Sequence, residues 1–442
     1  MITLPKDVAE IIHILEEAGY EAYAVGGCVR DSILGRCPND WDITTNALPQ
    51  QVKDLFSHTI DTGLQHGTVT VMKHHVGYEV TTYRIDGEYE DSRHPKSVTF
   101  TADLVEDLMR RDFTINAMAY NDRTGIVDAF GGMKDLENKV IRAVGDPKQR
   151  FTEDALRIMR AVRFAAQLGY EIEEKTKEAI GEMAQTLKKI SAERIQVELV
   201  KLVTSDHPEH MRLLYETGIT SVILPQFDRM MEMEQNNPHH CFSVGEHTIK
   251  AMQEIKPDKV LRLTMLFHDM GKPDTKTTDV DGIDHFHGHA VYSEQHAESV
   301  LKQLKFDNDT IYKVKKLTYW HDYKTAPGKK GVRRALNKIG EELFLLLLEV
   351  KRADTMAQSA YKREEKLKEL EQLAQIYSQV KEEGECFTLK DLAVTGQDLI
   401  ALGMKPGPQL GEQLGRLLEI VLDDPEKNEK EKLLSIAAKS IF

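Results

Sequence analysis

A change of hydrophobic period near residue 143 constrains this chain more than any other feature. Before it, runs such as EAYAVGG, GTVTVMKH, YEVTTYRI, MAYN and GIVDAF alternate or are wholly apolar, with Gly and Asp turns between them and an amphipathic helix in front. After VIRAVGDPKQRF the strand signals disappear. Helical spacing then runs almost to the end, broken by Gly and Pro at GDP, Pro225, NNPHH, DGIDHFHGH and TAPGKKG. A doubly wound sheet over the whole chain is thereby disfavoured, and an α+β protein is expected, an α/β portion followed by helices. The length of 442 residues exceeds what one hydrophobic core supports, so several domains should follow one another. No fixed-period repeat is present, and the charged DDPEKNEKEK is the one biased tract.

No stretch approaches the roughly 18 to 20 apolar residues that span a bilayer, and MITLPKDVAEII carries neither a basic n-region nor a long apolar run. A cytoplasmic protein with no membrane partner is expected, and no obligate protein partner is evident. The four cysteines Cys28, Cys37, Cys241 and Cys386 lack C-x-x-C spacing, so neither a disulfide framework nor a zinc site is suggested. A net charge of −14 argues against a surface coated in nucleic acid, but RRDF, RIMRAVRF and KKGVRR offer local basic tracks.

GGCVRD follows the strand-like AYAV and opens a helix, so backbone N–H groups at Gly26 and Gly27 can approach a triphosphate and Arg30 can add charge. A plain turn would look the same. Eight residues on, NDWDITT holds Asp40 and Asp42 two apart, which in a strand puts both carboxylates on one face. Their repulsion is tolerable with a cation between them, and oxygen-rich Mg²⁺ sites of phosphoryl-transfer enzymes have this chemistry. Glu79 in YEVTTYR is the candidate third carboxylate on a neighbouring strand.

These residues, GGCVRDSILGRCPNDWDITTNA, together with RRDFTINAMAY, DAFGGMKDLENKVIR and EDALRIMRAVRFAAQLGY, resemble the bacterial class II tRNA nucleotidyltransferases in order and spacing from about residue 20 to 200. That family includes poly(A) polymerases with the same polymerase-β-like head. The resemblance implies addition of C, C and A to the 3′ end of tRNA from CTP and ATP. Glu153 to Arg163 reads as one helix, with Asp154, Arg157, Arg160 and Arg163 three apart. In the family this segment is a protein template. A carboxylate at Asp154 can accept from the amine shared by cytosine and adenine, while Arg157 donates to their ring acceptors. Guanine and uracil would leave partners unpaired, at about 1–3 kcal/mol each. Gly27, Arg30, Arg111, Arg160 and Arg163 are implied at phosphates or ribose, with Asp112 at the ribose hydroxyls. YRIDGEYEDSRHPKSVTF resembles the flexible loop of CCA- and A-adding members, with His94 where Arg is usual.

A second constellation lies in CFSVGEHTIKAM, LFHDMGK, HFHGHAVYSEQHA, YWHD and RADTMA. His268 and Asp269, with His247 before and Asp354 after, resemble the H…HD…D signature of HD-superfamily phosphohydrolases. Such ligands suit a transition metal, Ni²⁺, Mn²⁺ or Co²⁺. His289 and His321 fall where some HD proteins bind a second ion, and Lys272 follows HDMG as in many active members. An inactive helical remnant is the plainer alternative.

The expected organisation is a polymerase-β-like nucleotidyltransferase head over 1–143, a helical neck with the base template over 144–206, a helical body over 207–356 with the HD-like part from about 241, and a helical tail over 357–442 for tRNA. The alternatives are an A-adding enzyme or poly(A) polymerase, a hydrolase with a degenerate head, and a non-catalytic RNA binder. The Asp40/Asp42 pair disfavours the last two, since an RNA binder has no reason to hold two carboxylates beside a phosphate site.

Overall fold

Residues 2–87, 97–236 and 242–441 are described by a computed structural model. His94 and most of the loop around it lie outside the described residues, as does Cys241. The chain divides into two units, Met1–Asp228 and Arg229–Phe442.

The first unit opens with the helix Lys6–Glu17, whose stripe of Val8, Ile11, Ile12 and Leu15 is buried at the three-and-four spacing of an amphipathic helix. Its sheet contains β1 (Ala22–Val25), β2 (Asp42–Thr45), β3 (Thr59–Gly63), β4 (Thr68–Lys73) and β5 (Val76–Thr82). The order is β3-β4-β5-β2-β1, continued by Ala119–Asn121 and Gly125–Val127. All four residues of β1 are buried because both faces of this central strand are covered. Burying Val25 alone contributes about 1.5–3 kcal/mol, and Ala24→Asp would put an unpaired charge in its place.

The pairing of strands positions the chemistry. β2 runs antiparallel to β1 with Val25 opposite Asp42, and parallel to β5 with Ile43 opposite Val80. The end of β1, the start of β2 and Glu79 of β5 therefore share one edge of the sheet. Asp40 is a correction to the sequence reading. It lies in the loop two residues before β2, so strand alternation does not place it beside Asp42.

The segment 153–163 is also not one helix. A helix Pro147–Glu153 ends, Asp154 is extended (φ −141, ψ 104), and a second helix Leu156–Leu168 begins. The Asp154 carboxylate causes the break by accepting from the Leu156 N–H at 3.0 Å, an alternative to continued helical hydrogen bonding.

The second unit is built on helices that include Val244–Gln253, Lys259–Phe267, His289–Gln303, Asn308–Trp320, Glu341–Ala357 and Arg363–Glu382. Lys259–Phe267 is buried from Leu261 onward, Arg262 and Thr264 included, as a core helix covered on all sides is, and Asp258 caps its first turn. The expectation that strands cease after residue 143 fails in detail. Glu171–Ile172 pairs parallel with Val140–Ile141, and Thr277–Thr278 pairs with Asp284–His285. Ladders of two residues are too short to leave a periodic signal. Among the described residues no helix is long and apolar enough to cross a membrane.

Candidate functional site

In the first unit a cleft of about 510 Å³ opens at the shared sheet edge. Gly26 ends β1 at φ 87, where a Cβ would also stand 3.2 Å from Arg111 Nη1, so glycine serves both the turn and the approach of that arginine. Gly27 opens the following helix. Arg30 on that helix is buried and donates to Asn116 Oδ1 at 2.7 Å and to both oxygens of Asp31 at 2.9 Å.

Asp40 and Asp42 line the cleft together with Arg110 and Arg111. Burial raises Asp42 above the usual carboxylate range; Arg111 opposes the shift and Asp40 adds to it. Glu79 is raised as well, by burial and then by the charges of Asp42 and Asp40. The three carboxylates therefore feel one another, although Glu79 is not on the cleft wall. Each nevertheless keeps part of its surface in contact with solvent. Mutual repulsion among hydrated carboxylates suits a hard, oxygen-seeking cation such as Mg²⁺.

The neck candidates converge on the same cleft. Asp154 sits at the helix break with one oxygen on the Leu156 N–H and the other accepting from Arg194 Nη2 at 2.8 Å. Arg157 donates to Glu153 Oε2 at 2.7 Å and to the Arg110 carbonyl at 2.8 Å. Arg160 donates twice to Asp112 Oδ2, at 2.9 and 2.6 Å. Burial would raise Asp112, but this guanidinium and the Asn116 amide hold it well below the usual range. Arg163 donates to Glu198 at 2.8 Å and lies 3.5 Å over the Phe164 ring, and the guanidiniums of Arg30 and Arg160 are within 4.9 and 5.3 Å of it. Asp112, expected at ribose hydroxyls, lines the cleft with both oxygens accepting from protein donors.

Sequence reasoning missed three contributors. Arg194 anchors Asp154 from the helix Ala192–Val203, and Phe164 is the platform under three arginines. Asp107, fully buried, accepts from Arg110 at 2.8 Å, Arg111 at 3.3 Å and Thr44 of β2 at 3.1 Å, tying both arginines to the strand that carries Asp42. The arginine pair in RRDF was a signal for Asp107, because two adjacent cations near a sheet need a buried counter-charge.

The second unit gathers six sequence candidates. His247, His268 and Asp354 form one triad, and Asp269, His289 and His321 another, with ligand atoms within 4.8 Å of one another in each. His247 Nε2 lies 2.9 Å from Asp354 and 3.3 Å from His268 Nε2; His289 Nε2 is 3.1 Å from His321 Nε2. Asp269 joins the triads, one oxygen 3.2 Å from His268 and the other 3.4 Å from His289. Lys272 reaches Asp269 at 2.7 Å. Nδ1 of His268, His289 and His321 each points to the carbonyl three residues back, at 2.7, 2.8 and 2.6 Å. That turns each Nε2 inward toward the other cluster members, as metal-ligating histidines are held. Burial and the neighbouring imidazoles push His321 down to about 3, the neutral form a metal requires. Burial lowers His268 but the Asp269 carboxylate outweighs it, so without an ion this imidazole leans toward protonation. Gly271 lets the His289–Gln303 helix come close: a Cβ there would meet the His289 carbonyl oxygen at 2.4 Å and the Ser293 nitrogen at 2.6 Å.

Residues 22–142 match the family profile described as Poly A polymerase head domain, residues 169–231 that of an RNA and SrmB-binding site of polymerase A, and residues 282–437 that of tRNA nucleotidyltransferase domain 2. The chain is 38% identical to the CCA-adding enzyme of Pediococcus pentosaceus over 98% of both chains. It is 37% identical to that of Levilactobacillus brevis over 96% of this chain and 95% of the other. A solved Bacillus stearothermophilus CCA-adding enzyme in complex with CTP is similar with a TM-score of 0.73 and 30% identity, covering 99% of this chain and 98% of that one.

Proposed function

The chain belongs to the CCA-adding enzymes, and from that premise we propose that its head cleft is where nucleotides are selected and joined. It is a tRNA nucleotidyltransferase that adds C, C and A to the 3′ end of tRNA from CTP and ATP, without a nucleic-acid template and with release of pyrophosphate. The observation that carries the assignment of residues is the convergence of the sheet-edge carboxylates and the neck arginines on one cleft.

In this reading Asp40 and Asp42, with Glu79 behind them, hold Mg²⁺, which when bound activates the attacking 3′-hydroxyl and neutralises the leaving pyrophosphate. Gly26 and Gly27 offer backbone N–H groups to the triphosphate while Arg30, Arg111, Arg160 and Arg163 supply positive charge. Asp154 and Arg157 read the base. Asp154 keeps lone pairs for an exocyclic amine beyond those used by Leu156 and Arg194, and its double anchoring keeps it from turning away. Arg157 must exchange one of its present partners for the base. The division into head 1–143, neck 144–206, body 207–356 and tail 357–442, with the tail on tRNA, and a cytoplasmic site of action, are part of the same proposal.

A second activity is favoured by one observation, the two triads with inward Nε2 atoms, joined by Asp269 of one lying against His268 of the other. We read this as an HD-type centre for Ni²⁺, Mn²⁺ or Co²⁺ that hydrolyses phosphate esters.

The test of the main reading is a product ladder. Given tRNA lacking its last three nucleotides, purified protein should add two residues with CTP, and three, then stop, with CTP and ATP together. A long ladder of A residues would identify a poly(A) polymerase instead, and addition confined to ATP after CC an A-adding enzyme.

A further inference from the structure

Next to the His/Asp cluster lies a pocket of about 370 Å³, within the size range of small-ligand sites, to which none of the functions above gives a role. Its walls come from the helices that carry His247 and Asp354. Lys250 follows His247 by one turn, and Gln358 follows Asp354 by one turn at the helix end. The two sites are physically joined. Gln358 Nε2 donates to Asp354 Oδ2 at 3.0 Å, its Oε1 accepts from Lys366 Nζ at 2.6 Å, and its carbonyl accepts from Arg363. Held at three points, Gln358 fixes the spacing between cluster and pocket.

The pocket's charge is only partly engaged. Lys250 lies 4.1 Å over the Phe242 ring, and its ammonium has no hydrogen bond or ion pair with any described residue. Arg363 has a buried Nε without a partner. Glu254 lies on the wall one turn beyond Lys250, but no ion pair joins it to either cation among the described residues. Two cations and an aromatic ring around an open volume suit an anionic group attached to something flat.

We propose that this pocket is a phosphate subsite for the His/Asp centre, so that the centre's substrate is a nucleotide phosphate ester bearing a second phosphate rather than a simple monoester. The proposal rests on the reading of the cluster as a metal-dependent phosphoesterase. In the reaction water forms the new O–P bond, the ester O–P bond breaks, and the leaving alkoxide takes up the proton that water loses; no other reactant is needed. Lys250 and Arg363 hold the phosphate that does not react.

The experiment uses the full chain loaded with Mn²⁺, Co²⁺ or Ni²⁺ and compares release of the 3′-phosphate from adenosine 3′,5′-bisphosphate, from adenosine 3′-monophosphate, and from a short RNA ending in a 3′-phosphate. Wild type should show a KM for the bisphosphate about tenfold or more below that for the monophosphate, the size of a charge-assisted contact. Lys250→Ala should erase that difference by raising the bisphosphate KM alone, with kcat and bound metal unchanged, and Lys250→Arg should restore it. If the RNA gains the same advantage over the monophosphate and loses it in Lys250→Ala, the source is an RNA end; if the bisphosphate alone does, it is a free nucleotide. Equal KM values for all three substrates in wild type, or a Lys250→Ala effect shared by the monophosphate, overturn the subsite while leaving the centre intact. Wild type that neither binds metal nor releases phosphate overturns the centre, and the subsite with it.

Discussion

The head cleft and the His/Asp cluster both collect charge at one point, but in opposite ways. In the head, hydrated carboxylates stand at the start of a strand, and the cations opposite them are already paired with protein groups, Arg157 with Glu153, Arg160 with Asp112, Arg194 with Asp154. Charges there can exchange partners when nucleotide arrives. In the second unit the ligand atoms are buried among helices, and three of the four imidazoles are fixed by a backbone carbonyl. Nothing there can swing to a new partner without leaving a buried polar group unpaired. The contrast teaches that oxygen-rich and adjustable suits Mg²⁺ and a changing substrate, whereas nitrogen-rich and rigid suits a resident transition ion.

The comparison can be broken most sharply at the carboxylates. Asp42→Ala should cut nucleotide addition by on the order of 10³-fold, the several kcal/mol a metal supplies at developing charge, with tRNA affinity unchanged in a gel-shift titration. The same is expected of Asp40→Ala, and near wild-type addition by either would show that the head holds no catalytic ion. Next, His268→Ala combined with Asp269→Ala should strip the transition metal, measured by elemental analysis, and end phosphoesterase activity, leaving nucleotide addition within a few-fold of wild type. Coupled loss of both activities would mean that the two sites are one system.

A smaller effect sharpens the idea of exchangeable pairing in the head. Asp154→Ala should narrow the preference for CTP and ATP over UTP and GTP by about 10- to 100-fold, the cost of one lost partner. Arg194→Ala, which removes only the anchor, should narrow it by roughly tenfold or less, read as incorporation ratios on the same tRNA. If Arg194→Ala instead lowers tRNA affinity and leaves the ratios alone, Arg194 belongs to the RNA surface.

The smallest expected effect concerns pH. Asp42 and Glu79 are raised in the folded chain, so without metal they cost stability above their unfolded values, and the cost disappears as pH falls through their raised folded values. Mg²⁺ should therefore raise the melting temperature at neutral pH, and the increment should fade on acidification through and just above the carboxylate range. Since these groups are solvent-exposed, screening should hold the increment to roughly 1–2 °C. Asp42→Asn should melt slightly higher than wild type without Mg²⁺ and gain less from it.

What could be read from the sequence depended on distance along the chain. Gly26, Gly27, Asp40 and Asp42 lie on the single strand–helix–strand stretch from the end of β1 to the start of β2, so local spacing displayed their chemistry even though it misplaced Asp40 on the strand. The helix break at Asp154 went unseen because its cause is one side chain capping the helix ahead of it, which apolar periodicity does not register. The adjacent Arg110 and Arg111 hinted at Asp107, but its tie to Thr44 and that of Arg194 to Asp154 reach 63 and 40 residues along the chain, and nothing near them in sequence announces those two partners. The His/Asp cluster spans 107 residues between His247 and Asp354. Only likeness to a known signature could join such separated residues beforehand.

Gly271 carries a consequence of its own. The hydrogen atom that stands in for its side chain sets how near one helix rides against another, and so how near His289 comes to Asp269. A methyl group at 271 would act as a wedge, prising the second triad apart while sparing His247, His268 and Asp354. If the proposed centre takes an ion at each triad, the number it carries, two or one, would then hang on a single spacer, making this glycine a stoichiometric gauge rather than a hinge.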